Sequence, residues 1–392
     1  MKLPASLSTS LSSLRKYVEN QQFKGYDPYD TLNTKIPITS FGKWPSAIAI
    51  QIQKRNPFNI RPIIGIKKEV NPKAFGLFLH AYSILHQVNP TQETEDQMSF
   101  FFNWLLKNNT KGYSGLCWGY NFDWASPVKV LKAHSPTIVV SGFIAKGIFE
   151  YYQATKDPKA IESLESIGKF AWNDLKRISD SSGICMSYST VQTDCCYNAS
   201  MLGAELYAML YSVTKKEEYS NRALDMTKYV LAKQQPDGHW NYSIDPVTGQ
   251  EREQIDFHQG YVLDSLHYVQ KYLKITNQEI TKAIEHGLKY YREKQFLDSG
   301  QSIWRVPKKW PLDIHNQTQG ILTFSRLQRY ISSEAQFAKV IAKWTIEHMQ
   351  DNKGFFYYRN HPWYKIKIPY MRWSQAWMFL ALSELERNGN RS

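Results

Sequence analysis

The chain has 392 residues, of which 42% are hydrophobic and 21% charged, an ordinary composition for a globular protein with a sizeable core. It contains no long uninterrupted apolar run and no apolar stretch behind a basic start, so we predict neither a membrane-spanning helix nor a secretory signal. Its four cysteines are too few for a disulfide framework in a chain of this length, so we expect a cytoplasmic protein in a reducing compartment.

The charge indicates an anionic partner. The chain carries 48 basic and 35 acidic residues, a formal net charge of +13, which attracts nucleic acid, an anionic membrane face or an acidic polysaccharide alike. The basic residues are scattered and no zinc finger or recognition helix is found, which argues against nucleic acid. The 12 Trp, 25 Tyr and 19 Phe exceed what the core requires, and their flat faces suit sugar rings. We therefore expect an acidic saccharide or its activated precursor as partner, no cofactor, and at most a peripheral contact with a membrane.

Apolar residues recur mostly every three or four positions, the spacing of amphipathic helices. After a less regular arm and first hairpin in residues 1–60, this spacing predicts helices over residues 72–87, 138–152, 199–213, 219–233, 261–273, 279–295, 318–330, 334–349 and 376–385. Beta signals are short and each follows a glycine, at residues 184–188, 240–242 and 355–358. We therefore predict a mostly helical protein with small strands or turns between helices.

A glycine followed by aromatic or apolar residues recurs at intervals of 54 to 68 residues, at Gly115, Gly183, Gly238, Gly300 and Gly354. Each such segment ends one helical pattern and precedes another, so each period reads as a helical hairpin, about six in all. A superhelix of HEAT or tetratricopeptide type has shorter repeats and would need a polar capping repeat, whereas residues 371–385 are apolar and rich in Trp. We predict a single all-α domain over residues 1–392, an (α/α)6 toroid.

Polar and aromatic residues follow each glycine segment, just before the next helix. These stretches are residues 120–124, 194–198, 256–258, 313–315 and 369–373. Because they fall at equivalent points of the repeat, a closed ring would place them on one rim around its central cavity. We therefore predict the functional site at this rim.

An Asp-x-His motif stands at the same point of two successive repeats, at Asp256 with His258 and, 57 residues later, at Asp313 with His315. An imidazole titrates near neutral pH and can act as acid or base, with the carboxylate orienting it, so we predict these four residues as catalytic. In the alternative interpretation both Asp residues only cap helix N-termini. A divalent metal would need a third well-placed ligand, and since none is evident we predict no metal.

Other residues of the five stretches are candidate substrate contacts. Arg372 would bind a carboxylate or sulfate through its planar guanidinium, unless it forms a structural ion pair that closes the ring. Asp27 and Asp30 lie in a loop that either forms a simple Pro-Asp turn or folds over the rim and supplies a second acid or base. The remaining candidates offer aromatic faces and hydrogen-bonding groups suited to a sugar, and are Tyr120, Asn121, Asp123, Trp124, Tyr197, Asn198, Tyr370 and Trp373.

Several of these segments carry a family resemblance. Residues 25–30, 117–124, 136–139, 313–315 and 368–377 together resemble the VpsJ-like proteins of bacterial exopolysaccharide and capsule gene clusters. The resemblance spans nearly the whole chain and implies a six-hairpin glycosidase-like toroid. More remotely, the chain is similar to the helical domain of glucuronyl carbon-5 epimerases.

These features favour a carbohydrate-active protein of bacterial surface polysaccharide biosynthesis that acts on an acidic glycan or its precursor. Epimerisation or elimination beside a uronate carboxylate needs a base and a carboxylate clamp, whereas hydrolysis needs two carboxyl groups across the scissile bond. The Asp, His and Arg residues found fit the former better, with glycoside hydrolysis as an alternative. A glycan-binding or scaffold protein without catalysis explains the aromatic residues and the charge equally well.

Overall fold

The computed structural model describes residues 5–126, 130–331 and 336–389. In chain order the helices are α1 (Ala5–Asn20), α2 (Lys43–Arg55), α3 (Pro72–Val88), α4 (Gln92–Lys107), α5 (Ile138–Thr155), α6 (Pro158–Asn173), α7 (Tyr197–Thr214), α8 (Glu217–Leu231), α9 (His258–Leu273), α10 (Gln278–Gln295), α11 (Ile314–Arg326), α12 (Phe337–Met349) and α13 (Trp377–Gly389). Short 3-10 turns cover Asp30–Asn33, Ile38–Phe41 and Gln328–Tyr330, and a π-helical turn, Met371–Ala376, leads into α13.

The strands are short and lie in the connections between helices. They are β1 (Trp124–Ala125), β2 (Val130–Leu131), β3 (Arg177–Asp180), β4 (Gly183–Met186), β5 (Cys195–Cys196), β6 (Ser243–Ile244), β7 (Glu251–Arg252), β8 (Leu312–Asp313), β9 (Arg359–Asn360) and β10 (Lys365–Ile366). All pairings are antiparallel: β1 with β2, β3 with β4, β5-β6-β7, and β8-β9-β10. Strand β5 runs directly into α7 and strand β8 directly into α11, so their two sheets position the starts of these helices.

Six helices form a closed inner ring. α3 packs on α5, α5 on α7, α7 on α9, α9 on α11, α11 on α13, and α13 returns to α3. The outer ring consists of α4, α6, α8, α10 and α12, and it is completed by α1, which packs on α12 and α13. The predicted (α/α)6 toroid is confirmed.

Residues 1–60 divide between two places. α1 belongs to the ring, where its hairpin partner is α13. α2 lies outside the ring, against the two N-terminal 3-10 turns and β1. The pairing of α1 joins helices from opposite ends of the chain, and no local sequence period can reveal such a contact.

The two rings differ in sequence because they differ in burial. In the inner helix α5 every residue from Ile138 to Phe149 is buried, in keeping with a segment that is apolar nearly all round. In the outer helix α10, burial follows every third or fourth residue, through Ile280, Ile284, Leu288 and Tyr291, and Lys and Glu occupy the outer face. The inner helices therefore have neighbours on both sides and the outer helices on one.

The repeated glycines are explained by contacts with the outer ring. A Cβ added to Gly115 would lie 1.8 Å from the carbonyl oxygen of Ser166 on α6, and one added to Gly354 would lie 2.4 Å from that of Ser13 on α1. Gly183, Gly238 and Gly300 approach α8, α10 and α12 in the same way. Since each glycine abuts the outer helix of the next hairpin, no side chain fits, and the contact of Gly354 with α1 closes the series.

A disulfide joins Cys185 on β4 to Cys195 on β5. It was not predicted from the cysteine count, and it runs against the expected reducing compartment, where such bonds are rare. Cys117 and Cys196 are buried outside this bond. Within the part of the chain that the structure describes, no helix has both the length and the apolarity needed to cross a bilayer.

Candidate active site

The inner helices begin at one rim of the toroid, which we call the mouth. The first turns of α3, α9 and α11 and the π-helical turn before α13 meet there, because each inner helix follows a connection from the outer ring. Their side chains approach one another across the opening, as the contacts below show. The mouth is therefore the place where residues distant in sequence form one site.

His258 and Asp256 form a hydrogen-bonded pair at the start of α9. The Asp256 carboxylate contacts Nδ1 of the His258 ring and also accepts the backbone N–H of His258 at 3.2 Å. Burial raises the pKa of Asp256, but the neighbouring His258 and Arg305 outweigh it, so the net pKa is lowered and the group is a carboxylate. Among the described residues Nε2 of His258 makes no hydrogen bond, and the ring is partly exposed. The geometry is that of an oriented base.

His315 is held differently, deep at the start of α11. Its Nδ1 lies 3.5 Å from the carbonyl oxygen of Trp373 and its Nε2 contacts the Tyr261 hydroxyl. Burial, then the positive charges of Lys73 and Arg372, lowers the pKa of His315 well below its ordinary value, so the ring is neutral. Burial also raises the pKa of Tyr261 well above its ordinary value. The phenol therefore stays protonated and donates a hydrogen bond to Nε2 of His315.

The structure brings the two histidines together. The Phe257 ring lies 4.2 Å from the His258 ring and 4.3 Å from the His315 ring, measured between centroids. Tyr261 contacts both rings edge-on, at 5.7 and 6.0 Å. The two imidazoles therefore flank one aromatic pair, on neighbouring inner helices.

Asp313 does not mirror Asp256, although the two motifs have the same sequence pattern. Its carboxylate accepts the backbone N–H of His315 at 3.0 Å, as a helix cap, but makes no bond to the imidazole. It also accepts from Arg359 Nε at 2.7 Å and from Trp373 Nε1 at 2.8 Å. Asp313 thus anchors the rim. Of these two motifs, only Asp256 and His258 form a contact between carboxylate and imidazole.

Arg372 binds a carboxylate of its own chain. Its Nε and one terminal nitrogen donate to both carboxylate oxygens of Asp27, at 2.6 and 2.7 Å, and both residues are buried. The guanidinium also lies 5.0 Å from the Tyr120 ring centroid. The planar fork predicted for substrate is therefore filled by the N-terminal loop, the arrangement expected of a structural ion pair.

A second arginine fixes the same loop. Arg61 donates to the Asp30 carboxylate at 2.7 Å and to the Asp27 carbonyl oxygen at 2.9 Å. Burial raises the pKa of Asp30 to about 6, while Arg61 opposes the shift. Tyr370 packs beneath this arginine, 4.7 Å from ring centroid to guanidinium, and is fully buried. The loop thus folds against the rim, with both of its carboxylates bound by arginines.

Of the stretch from residue 120 to 124, only part faces the site. Tyr120 lies against Arg372, and Asn121 accepts a hydrogen bond from Asn71 at 2.7 Å. Asp123 instead binds Lys132 and the backbone of Ala133, both at 2.8 Å, at the start of the β1–β2 hairpin. Trp124 forms β1 and is partly exposed.

The residues predicted at the start of α7 contribute little to the opening. The Tyr197 hydroxyl donates to Glu251 on β7, so this side chain holds the β5-β6-β7 sheet. Asn198 is buried and accepts from the Cys196 thiol at 3.0 Å. Trp373, by contrast, packs 4.5 Å from the His315 ring and belongs to the site.

Lys73 was missed by the sequence analysis. It lies in the first turn of α3, capped by Asn71, and is buried with its Nζ 4.2 Å from the Phe143 ring centroid and 5.3 Å from that of Trp377. Among the described residues its ammonium makes no hydrogen bond or ion pair. Burial, then nearby Arg372, lowers the pKa of Lys73 well below its ordinary value. No glycine segment precedes this helix, so the only available signal was the helix-capping Asn-Pro pair.

Two further tyrosines, Tyr188 and Tyr242, add aromatic faces to the site. The Tyr188 hydroxyl lies 3.4 Å from that of Tyr120, and the Tyr242 ring lies 4.8 Å from the His258 ring. Tyr261, described above, stacks on Trp377 at 5.7 Å. Such faces bind the apolar side of a sugar ring while their hydroxyls meet its polar edge.

Below the mouth, buried ion pairs fill the ring. Lys146 lies 2.9 Å from Glu205, and Arg326 lies 2.6 Å from Asp264, around a small cavity that also reaches Tyr261 and Trp377. Further down, Arg387 binds Glu384 through two contacts. Among the described residues, these ion pairs occupy the ring below the mouth, which leaves the rim as the side open to a ligand. No three His, Cys, Asp or Glu side chains cluster as metal ligands within residues 5–126, 130–331 and 336–389.

Comparison with known proteins shows likeness in structure. No family model and no curated protein sequence matches the chain. A cellobiose 2-epimerase from Bacillus thermoamylovorans is 14% identical, with a TM-score of 0.63 over 81% of this chain and 88% of its own. A glycoside hydrolase family 76 mannosidase from Bacteroides thetaiotaomicron is 12% identical, with a TM-score of 0.63 over 98% and 97% of the two chains.

A possible member of glycoside hydrolase family 105 from Salmonella enterica gives a similar result, with 14% identity and a TM-score of 0.60 over 81% of this chain and 83% of its own. At these identities the likeness shows the fold, a six-hairpin glycosidase-like toroid, and nothing of the chemistry.

Proposed function

We propose that the protein is a carbohydrate epimerase or lyase that moves a proton at a sugar carbon next to a carboxylate or carbonyl group. The observation that carries the proposal is the pair of imidazoles at the mouth, His258 oriented by Asp256 and His315 joined to Tyr261. The cellobiose 2-epimerase of the same fold lends support, since a toroid of this kind accommodates that chemistry.

Two residues share the proton transfers: His258 removes one proton and Tyr261 supplies the other. With Nδ1 turned to Asp256, His258 presents Nε2 to the mouth and takes the proton from the sugar carbon. Tyr261 returns its phenolic proton to the same carbon from the opposite face, which completes an epimerisation and leaves a protonated His258 and a Tyr261 phenolate. Proton exchange of both groups with solvent restores them before the next turnover, and the neutral His315 ring orients the Tyr261 hydroxyl. If a leaving group departs from the next carbon instead, the product is the unsaturated sugar of a lyase.

The negative charge that develops on the carboxylate or carbonyl oxygen needs a cation. Lys73 is a buried lysine at the mouth without an ion pair among the described residues, and in its charged form it would take the role that the sequence assigned to Arg372. A substrate carboxylate would raise the pKa of Lys73 and favour its charged form. The net charge of +13 also favours an acidic glycan.

Hydrolysis is less well supported by the geometry. It needs one protonated carboxyl group and one carboxylate across the scissile bond. The four aspartates described at the mouth are instead bound to arginine or histidine side chains: Asp27 to Arg372, Asp30 to Arg61, Asp256 to His258 and Asp313 to Arg359. The resemblance to exopolysaccharide proteins supports a uronate unit of a bacterial surface polysaccharide, or its precursor, as the substrate.

The test is proton exchange in D2O. Uronate-containing oligosaccharides and reducing disaccharides are incubated with the protein, and NMR follows deuterium at the carbon next to the carboxylate or carbonyl group. We expect deuterium incorporation or unsaturation with the native protein and its loss in His258→Asn and His315→Asn. New reducing ends would establish hydrolysis, and binding without exchange would establish a glycan-binding protein.

A matched control is built into the chain. Asp237 and His239 form the same Asp-x-His pair, joined through Nδ1 at 2.5 Å, but the His239 ring packs on Tyr290 of the outer helix α10. His239→Asn should keep full activity. Equal losses in His239→Asn and His258→Asn would contradict the assignment.

A further inference from the structure

One part of the solvent-exposed surface is apolar. Phe41, Trp44, Ile48, Ile52, Phe58 and Ile63, each more than half exposed, lie on α2 and its flanking turns, and we call them the N-terminal apolar surface. On α2 itself the exposed residues Trp44, Ile48 and Ile52 are spaced four apart and form one stripe.

The buried face of this helix mixes polar and apolar residues. It consists of Ser46, Ala47, Ile50, Gln53 and Lys54, and Lys54 donates from Nζ to the Tyr29 hydroxyl at 2.7 Å. Burial lowers the pKa of Lys54 well below its ordinary value. Packing therefore buries two long polar side chains while a Trp and two Ile stay outside, an arrangement that costs free energy unless something apolar covers the stripe.

The chain segment that forms this surface carries basic residues and no acidic ones. From Thr31 to Lys68 the sequence has seven basic residues and no acidic one, which is more than half of the net charge of +13. Lys54 and Arg61 are buried, and the other five are exposed and flank the apolar residues along the chain: Lys35, Lys43, Arg55, Lys67 and Lys68. Exposed apolar side chains in a segment with exposed cations match the acyl and phosphate layers of an anionic bilayer.

We propose that the N-terminal apolar surface docks onto an anionic membrane. Trp44, Ile48 and Ile52 enter the boundary between headgroups and acyl chains, while the five exposed cations contact lipid phosphates. Burial of apolar area and attraction between cations and anionic lipids each contribute weakly and act together, as in other interfacial helices. The contact is reversible and sensitive to salt.

The docked surface adjoins the mouth. Tyr29, which holds Lys54, packs 5.6 Å from the Trp373 ring, and Trp373 packs on His315. Because α2 contacts the mouth through its buried face, docking would hold the mouth one helix diameter, roughly 10 Å, from the lipid surface. Resting on the proposed function, this position indicates a saccharide carried on a membrane lipid as the substrate.

The test is sedimentation with vesicles. Vesicles of phosphatidylcholine with phosphatidylglycerol should bind the native protein, and vesicles of phosphatidylcholine alone should bind it at least about tenfold more weakly. Trp44→Ser/Ile48→Ser/Ile52→Ser should lower the partition coefficient onto anionic vesicles at least about tenfold. Lys35→Gln/Lys43→Gln/Arg55→Gln should do the same and should remove most of the salt dependence.

The control changes exposed apolar residues of the outer ring, Phe100→Ser and Val340→Ser, and should bind as the native protein does. Circular dichroism and thermal unfolding verify that each variant folds. If the native protein fails to bind anionic vesicles, or binds neutral ones equally well, the proposal is wrong. It is also wrong if the triple Ser variant only converts a dimer into a monomer in size-exclusion chromatography, because the surface would then be a contact between two copies.

Vesicle binding is measured without turnover, so it fails or succeeds independently of the proposed function. For an active protein, the triple Ser variant should process a free oligosaccharide at the native rate and a vesicle-embedded lipid-linked one more slowly. Equal rates on both substrates would contradict the lipid-carried substrate.

Discussion

Arg372 and Asp27 lie 345 positions apart and form a buried, two-contact ion pair at the mouth. The pair connects the N-terminal loop to the turn that begins α13, so it joins the two ends of the ring. It also explains why the arginine of the polar rim does not offer its charge to a ligand.

Asp27→Asn should destabilise the protein strongly. The substitution leaves the buried Arg372 guanidinium without its counterion, which typically costs about 3–5 kcal/mol in the free energy of unfolding. Urea unfolding followed by circular dichroism measures the change. Asp123→Asn, which removes an exposed pair with Lys132, should cost less than about 1 kcal/mol. Equal effects of both substitutions would contradict the structural role of the buried pair.

Gly354→Ala tests the closure of the outer ring. Gly354 has φ of 94°, and an added Cβ would lie 2.4 Å from the Ser13 carbonyl oxygen. Gly112 has a similar φ of 89° but open space around it, so Gly112→Ala carries the backbone strain without the contact. Gly354→Ala should lower the free energy of unfolding by at least about 1 kcal/mol more than Gly112→Ala does. The same loss in both variants would mean that no close contact exists.

Lys73→Met should raise stability at neutral pH while abolishing activity. The folded-state pKa of Lys73 is lowered, so between that pKa and the ordinary 10.5 the unfolded chain binds a proton that the folded protein does not. The native protein should therefore gain about 1.4 kcal/mol per pH unit relative to Lys73→Met as pH rises through this window.

The measurement is urea unfolding of both proteins from neutral pH toward 10.5, the ordinary lysine value. Lys343→Met removes an exposed lysine of α12 that pairs with Glu347, and it should change the free energy of unfolding by less than about 1 kcal/mol. A constant difference between Lys73→Met and the native protein would show that Lys73 is charged in the folded state.

Asp256→Asn should reduce activity without unfolding the protein. The amide no longer orients His258 as a carboxylate does, so we expect kcat to fall at least about a hundredfold. Asp237→Asn alters the matching outer pair and should leave kcat unchanged. Proton exchange in D2O provides the rates. An Asp256→Asn variant with native kcat would remove this carboxylate from the mechanism.

The repeat made the fold predictable, because periodic apolar residues and regularly spaced glycines are local signals of hairpins. The sequence contains a second periodic signal, a Ser or Gln that recurs every 58 or 59 residues: Ser141, Ser200, Gln259, Gln317 and Gln375. Each accepts a hydrogen bond from the backbone of the segment before its helix. The pairing of α1 with α13 had no such signal.

The site was predictable only in part. The sequence pattern places Asp256 and Asp313 equally, yet one binds an imidazole and the other binds Arg359 and Trp373, because the local connections differ. Asp123 lies three residues beyond Tyr120, but the β1–β2 hairpin directs it to Lys132. Lys73 resembled any lysine in a helical pattern, and only the closed ring shows that it is buried at the mouth.

The position of α13 has a consequence for biosynthesis. This helix packs between α3 and α11 and against α1, so its seat is formed by segments from both ends of the chain. Until α13 has been synthesised, the inner faces of α3 and α11 stay uncovered and accessible to chaperones. Final compaction must therefore wait until α13 has emerged from the exit tunnel.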